Sequence, residues 1–270
     1  MRRASSTTQD THRETGKAWD ATAAKYEREE ADDIAFLRAG NSSLLEPERR
    51  ILGDLAPWCE CALHLQCAGG TDTLSLLTQG ATHVVGVDIS PRMIAVAQRK
   101  TAALHASATW HVSDVLDTPR ELNETANLVY TGRGALPWMQ DIRTWAAVCA
   151  RLIKPNGKLF VFEGHPLDWV WNETAPEYRL DAQHGDYFDQ ATRTERWPAP
   201  FLAEQNDSPT LPAYERHHTL SDIVSAVIEA GLVVEHFAEH PDLYWNQFPQ
   251  LPAHLAPKLP HTFSLLLRKP

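Results

Sequence analysis

Apolar residues recur at two spacings along this chain, and the switches between them lay out an order of elements. From Thr15 the segment TGKAWDATAAKYEREEADDIAFLRA carries Trp19, Ala23 and Tyr26 at i, i+4 and i+7, then Ile34 and Leu37. That spacing predicts an amphipathic helix or a pair of helices. EPERRILGDLAPW sets Ile51, Leu52 and Leu55 on one helical face behind Pro47. From Cys61 the pattern shortens: CALHLQC predicts a strand, AGGTD a tight turn, and TLSLLTQG a helix closed by Gly80. HVVGVDIS predicts a second strand ending at Asp88, PRMIAVAQRKTAAL a helix opened by Pro91, and ATWHVSDVLD a third strand. NLVYTG, the helix RTWAAVCARLI and the strand KLFVFEGHP continue the alternation. LSDIVSAVIEAG is a helix with Thr219 or Ser221 as its cap, and LVVEHFAEH and HTFSLLLRK are two final strands.

Five strands alternating with helices imply a parallel sheet with right-handed crossovers, an α/β architecture. The last two strands have no helix between them, so they pair antiparallel at one end of the sheet. Residues 1–16 are polar and aperiodic and are expected to be a flexible N-terminus. Residues 17–270 then form one domain with a helical cap over 17–56. The stretch 167–216 lacks periodicity but holds Trp169, Trp171, Tyr178, Tyr187, Phe188, Trp197, Phe201 and Tyr214. A segment of that length and content reads as an inserted lid with a substrate pocket, or as a homo-oligomer interface.

Composition narrows the partners. With 25 Lys+Arg against 35 Asp+Glu the chain has a formal charge of −10, which disfavours a nucleic-acid backbone and leaves a small-molecule substrate as the expected partner. No apolar run reaches the length of a membrane span, and MRRASSTTQDTHRETGK has no apolar stretch after its arginines, so no secretory signal is expected. Four cysteines without disulfide spacing point to a reducing, cytoplasmic compartment. No metal-binding spacing occurs among the 13 histidines, so no metal is expected.

In an open α/β sheet ligands bind beyond the carboxyl ends of the strands. Here the first turn is Cys67-Ala68-Gly69-Gly70-Thr71-Asp72, whose small residues admit a ligand close to the backbone. Asp88 ends the second strand, placed for a ribose diol, and Ser113-Asp114-Val115 ends the third, where Asp114 can accept from an adenine amino group. Together they point to an adenosine. A nicotinamide dinucleotide would favour G-x-G-x-x-G, and Ala68 and Thr73 break that pattern.

LHLQCAGGTDTLSL, GVDISPRMIAVAQ, SDVLD and LIKPNGKLFVFEGHP resemble, in that order, the motifs of class I S-adenosylmethionine-dependent methyltransferases. The likeness runs from about Trp19 to Lys269, and is strongest to a branch with an LHLQC-type first motif. It implies a Rossmann-like seven-stranded sheet, mostly parallel with an antiparallel last strand, helices on both faces, and N-terminal helices. It implies S-adenosylmethionine as cofactor and S-adenosylhomocysteine as product. Cys67, Ala68, Gly69 and Gly70 would line the methionine arm and ribose, and Asp88 would take the ribose hydroxyls. Ile89 and Met93 would cover the adenine or simply pack in the core. Ser113, Asp114 and Val115 would meet the adenine edge, and Thr131 and Gly132 the amino acid arm. His64 and Gln66 stand where most members carry an acidic residue and a glycine, the acid being the usual partner of the cofactor's ammonium.

The resemblance also implies that WDATAAKY closes over the cofactor. Tyr26 is then the first candidate for positioning near the methyl, against an ordinary packed aromatic. Trp19, Arg133, Trp138 and Trp169 are expected to face the substrate. His165, after Glu163-Gly164, is the second catalytic candidate as a general base, against a histidine that only bonds its loop. The expected reaction is methyl transfer to nitrogen, oxygen or sulfur of a small molecule, such as a specialised metabolite. An NAD(P)-dependent oxidoreductase and a non-catalytic cofactor-binding subunit are the alternatives.

Overall fold

A computed structural model describes residues 5–197 and 210–270. Seven strands form one sheet in the order β3-β2-β1-β4-β5-β9-β8. These are β1 (Cys61–Leu65), β2 (His83–Asp88), β3 (Ala108–Val112), β4 (Ala126–Gly132), β5 (Ile153–Gly164), β8 (Val233–His240) and β9 (Thr262–Arg268). The first five are parallel, and β9 runs antiparallel to both β5 and β8. Order reverses between β1 and β4, which opens a crevice at their carboxyl ends. The mixed sheet and its antiparallel end are those the sequence predicts.

Period-2 alternation explains the two layers. Leu63, Leu65, Val129, Leu159, Val161, Phe263 and Leu265 point to one face, where α5 (Ile142–Leu152) and α6 (Leu220–Glu229) bury Trp145, Cys149, Ile223 and Val227. Ala62, Val84, Leu128, Tyr130, Phe160 and Phe162 point to the other, against α2 (Glu46–Leu52) and α3 (Thr71–Thr78), which bring Leu52, Leu74 and Leu76. Helix α4 (Pro91–Leu104) begins at Ser90, whose hydroxyl accepts from the Met93 N–H.

Two expectations are corrected. The N-terminal element is one helix, α1 (Ser6–Arg38), capped by Ser5. Residues 6–16, expected to be flexible, are helical, with His12 and Thr15 buried. Within the stretch expected to be aperiodic, β6 (Thr192–Trp197) and β7 (Leu211–Arg216) form an antiparallel hairpin. It packs on α1, where the Tyr214 N–H donates to Thr15 Oγ1 at 3.1 Å. Phe201 lies outside the described residues.

Candidate cofactor and substrate site

The carboxyl ends of β1 to β4 open into a cavity of about 220 Å³, roofed by α1. Its floor is the turn after β1. Gly70 adopts φ +79, and a Cβ there would come within 2.6 Å of Trp110 and 2.7 Å of Ala97, so only glycine fits. Lys100, fully buried, donates to the Gly69 carbonyl at 3.0 Å and to Thr71 Oγ1 at 2.8 Å while pairing with Asp33 of α1. A single ammonium thus ties the turn to α1 and α4. Three non-glycine residues with left-handed backbone line this one cavity: Gln66 (φ 58), Ala68 (φ 44) and Arg133 (φ 56). Such conformations are costly and concentrate where a site needs them.

At the ends of β2 and β3, Asp88 accepts from the Ala68 N–H at 2.8 Å and the Ser90 N–H at 2.9 Å. Burial pushes its carboxyl up to about 6, while these backbone donors pull the other way. Asp114 accepts from the Leu116 N–H at 2.8 Å through one oxygen and meets His12 Nδ1 at 2.8 Å through the other. Because His12 Nε2 accepts from the Gln140 N–H at 3.3 Å, its proton sits on Nδ1 and points at the carboxylate. Ile89 packs under Gly16 of α1, where a Cβ would lie 3.0 Å from its side chain.

At the other end, the Tyr26 ring lies against the Gly69 backbone. Burial, then Asp72 and Asp88, push its phenol above its ordinary range. Trp19 and Trp138 meet edge to face, centroids 5.5 Å apart. The loop after β4 is held from below by Glu163, which accepts from the backbone N–H groups of Ala135 and Leu136 at 2.8 and 2.9 Å. Gly132 cannot carry a side chain, since a Cβ would collide with the Phe162 carbonyl.

The cavity therefore brings together Trp19, Tyr26, Cys67, Ala68, Gly69, Gly70, Asp88, Ile89, Asp114, Val115, Gly132, Arg133 and Trp138 of the sequence candidates. Five others lie outside its lining. His165 accepts from the Leu167 N–H and pairs through Nε2 with Glu239 of β8 at 2.9 Å, so both ring nitrogens are engaged away from the cavity. Met93 is buried on α4. Ser113 bonds the carbonyl of its neighbour Asp114. Thr131 is fully buried within the sheet. Trp169 packs on His217, 5.6 Å between centroids, with the Arg193 guanidinium 5.6 Å from its ring. Among the described residues of this region, Trp171 packs on Tyr178, and Tyr187 on Phe188 and His217. Lining residues without a role assigned from sequence are His12, Thr15, Thr71, Asp72, Gly134, Ala135 and Met139.

The residues suit an adenosine cofactor. Carboxylates end β2 and β3 side by side, and buried polar atoms without partners, among them Gln66 Oε1, edge the opposite end. Residues 62–157 match the family model described as a methyltransferase domain. Over 123 residues, 45% of this chain, the sequence is 31% identical to a demethylmenaquinone methyltransferase of Tropheryma whipplei, covering 47% of that protein. The chain thus spans about half the length of the curated relatives it matches. The fold is similar to that of an S-adenosylmethionine-dependent methyltransferase from Mesorhizobium loti, with TM-score 0.60 and 20% identity over 82% of this chain and 95% of that one. It is also similar to that of geranyl diphosphate C-methyltransferase from Streptomyces coelicolor, with TM-score 0.56 and 13% identity over 83% and 76%. The architecture is the Rossmann-like fold of methyltransferases. Residues 62–157 thus match a methyltransferase domain set on this sheet.

Proposed function

We propose that the protein transfers the methyl group of S-adenosylmethionine to a small molecule. The observation that carries this reading is the pair Asp88 and Asp114, which stand at adjacent strand ends in one roofed cavity. Asp88 holds the ribose hydroxyls and Asp114 the adenine edge, with Ile89 and Val115 as apolar walls. The cofactor, when bound, supplies a methyl group already activated on a sulfonium. The chain's own task is then to orient, to exclude water and to position the acceptor.

Helix α1 performs the exclusion. It is fastened to α4 by Asp20, which accepts from the Ser90 hydroxyl and the Arg92 N–H, and by the Glu27–Arg92 and Glu30–Arg99 pairs. Tyr26 orients the reacting groups as a neutral phenol, its proton held by burial. Trp19, Trp138 and Met139 form an apolar wall for a flat or aliphatic acceptor. His165 takes no part as base.

Carbon joins nitrogen, oxygen and sulfur as an acceptor to be tested, since one protein of similar fold is a C-methyltransferase. The test is a metabolite screen with methyl-labelled S-adenosylmethionine, alongside titration with S-adenosylhomocysteine. Micromolar binding with transfer of label supports the reading. Absence of binding removes it, and binding without turnover reduces the protein to a cofactor-holding subunit.

A further inference from the structure

The amino acid arm of S-adenosylmethionine is a zwitterion, so its pocket needs an acceptor for an ammonium and a donor for a carboxylate. Position 64, acidic in most chains of this resemblance, is a histidine here. His64 is buried, bonded to Thr73 Oγ1 at 2.8 Å and set edge-on against Tyr130. Burial lowers it to about 4, so at neutral pH it brings no charge to the cavity.

Three other residues of the same cavity have what the arm lacks. Gln66 donates through Nε2 to the Ala135 carbonyl at 2.8 Å, which fixes the amide orientation and leaves its buried Oε1 without a partner. Asp72, in the first turn of α3, receives the Ser43 hydroxyl at 2.6 Å and Arg133 Nη2 at 2.6 Å, both on Oδ1. Its second oxygen adds an acceptor beside the turn. Arg133 is anchored by Nη1 on the Ser43 carbonyl at 3.2 Å, and Glu48 lies 3.8 Å from its Nε. Nε and Nη2 are paired by charge with Glu48 and Asp72 but make no hydrogen bond among the described residues. Gln66 and Arg133, both with left-handed backbone, line the cavity just past the ends of the neighbouring strands β1 and β4.

We infer that Gln66, Asp72 and Arg133 form the subsite for the amino acid arm, with Gln66 Oε1 and the Asp72 carboxylate taking its ammonium and Arg133 its carboxylate. The charge that the first strand lacks at residue 64 is thus supplied eight residues later, and Arg133 serves the cofactor and not the acceptor. The inference rests on the cofactor reading above.

The experiment compares two probes by calorimetry: S-adenosylhomocysteine, which carries the arm, and 5′-methylthioadenosine, which has the nucleoside without it. The wild-type protein should bind the first at least tenfold more tightly. Asp72→Asn and Gln66→Leu should each weaken S-adenosylhomocysteine by about ten- to a hundredfold and leave 5′-methylthioadenosine within twofold. Arg133→Met should do the same. Should it unfold through loss of its Glu48 contact, the isosteric Asp72→Asn still decides the matter. Equal losses for both probes, or unchanged binding of the first, overturn the subsite while the nucleoside pocket stands. Failure of the wild-type protein to bind either probe overturns the cofactor reading itself.

Discussion

His12 and Asp114, 102 residues apart in sequence, meet at 2.8 Å and pin the first turns of α1 to the end of β3. The same imidazole receives the Gln140 N–H, and the Gln140 side chain reaches the Tyr214 carbonyl at 2.9 Å. Roof, sheet end and hairpin are therefore joined through one buried ring. His12→Ala should cost about 1–2 kcal/mol of stability and speed release of S-adenosylhomocysteine in stopped-flow displacement. Gln140→Ala keeps the backbone N–H that His12 receives and removes only the side-chain bonds to Tyr214 and Thr192, so its effect should add to that of His12→Ala. Losses well short of additive would show that the side chain also holds the ring.

Asp88 sets a pH signature. Burial raises its pKa from 3.8 to about 6, so between those values the folded chain keeps a proton that the unfolded chain has released. Its contribution to stability accordingly declines as pH rises through that window. Nucleoside binding moves the other way, because ribose hydroxyls donate to the carboxylate form. Affinity for 5′-methylthioadenosine should fall about tenfold from pH 7 to pH 5. Asp88→Asn should bind weakly at both and flatten the profile; a pH dependence surviving in that variant would assign it to another group.

Tyr26→Phe separates positioning from packing. The ring's contact with Gly69 is kept, so cofactor affinity and melting temperature should hold while kcat drops by roughly ten- to a hundredfold. If melting temperature falls and kcat does not, the hydroxyl matters only for packing.

His165→Asn retains a side-chain acceptor for the Leu167 N–H and should leave kcat and its pH profile unchanged. His165→Ala should destabilise by about 1 kcal/mol through loss of that cap, again with normal kcat. An acidic limb of the rate profile that vanishes in both variants would restore histidine as a base.

The sheet was legible because β1, β2, β4 and β5 are buried on both faces and written as dense β-branched and aliphatic runs. Asp88 and Asp114 stood at their ends in plain view. The start of α1 was not legible. STTQDTHRETGK is polar at nearly every position, and its helix is stabilised by partners more than 100 residues away: Asp114 and Gln140 for His12, Tyr214 for Thr15. Local periodicity carries no trace of such contacts. The β6–β7 hairpin was missed because TRTERW and LPAYER are short and mostly polar, and Pro212 argues against a strand until it is seen at an edge. His165 misled by position: a strand end near the crevice is also where a turn needs a cap. Arg133 stood out only as a substrate-facing candidate and Gln66 only as a departure from the family motif, since a left-handed backbone at a non-glycine residue cannot be read from residue type.

Helix α1 reaches both ends of the cavity, with His12 bonded to Asp114 and Tyr26 beside the Gly69 turn. One helix therefore roofs both the proposed donor compartment and the chamber next to it. Steady-state kinetics would then be sequential and ordered: the methyl donor enters first, its demethylated remnant departs last, and that remnant competes with the donor alone.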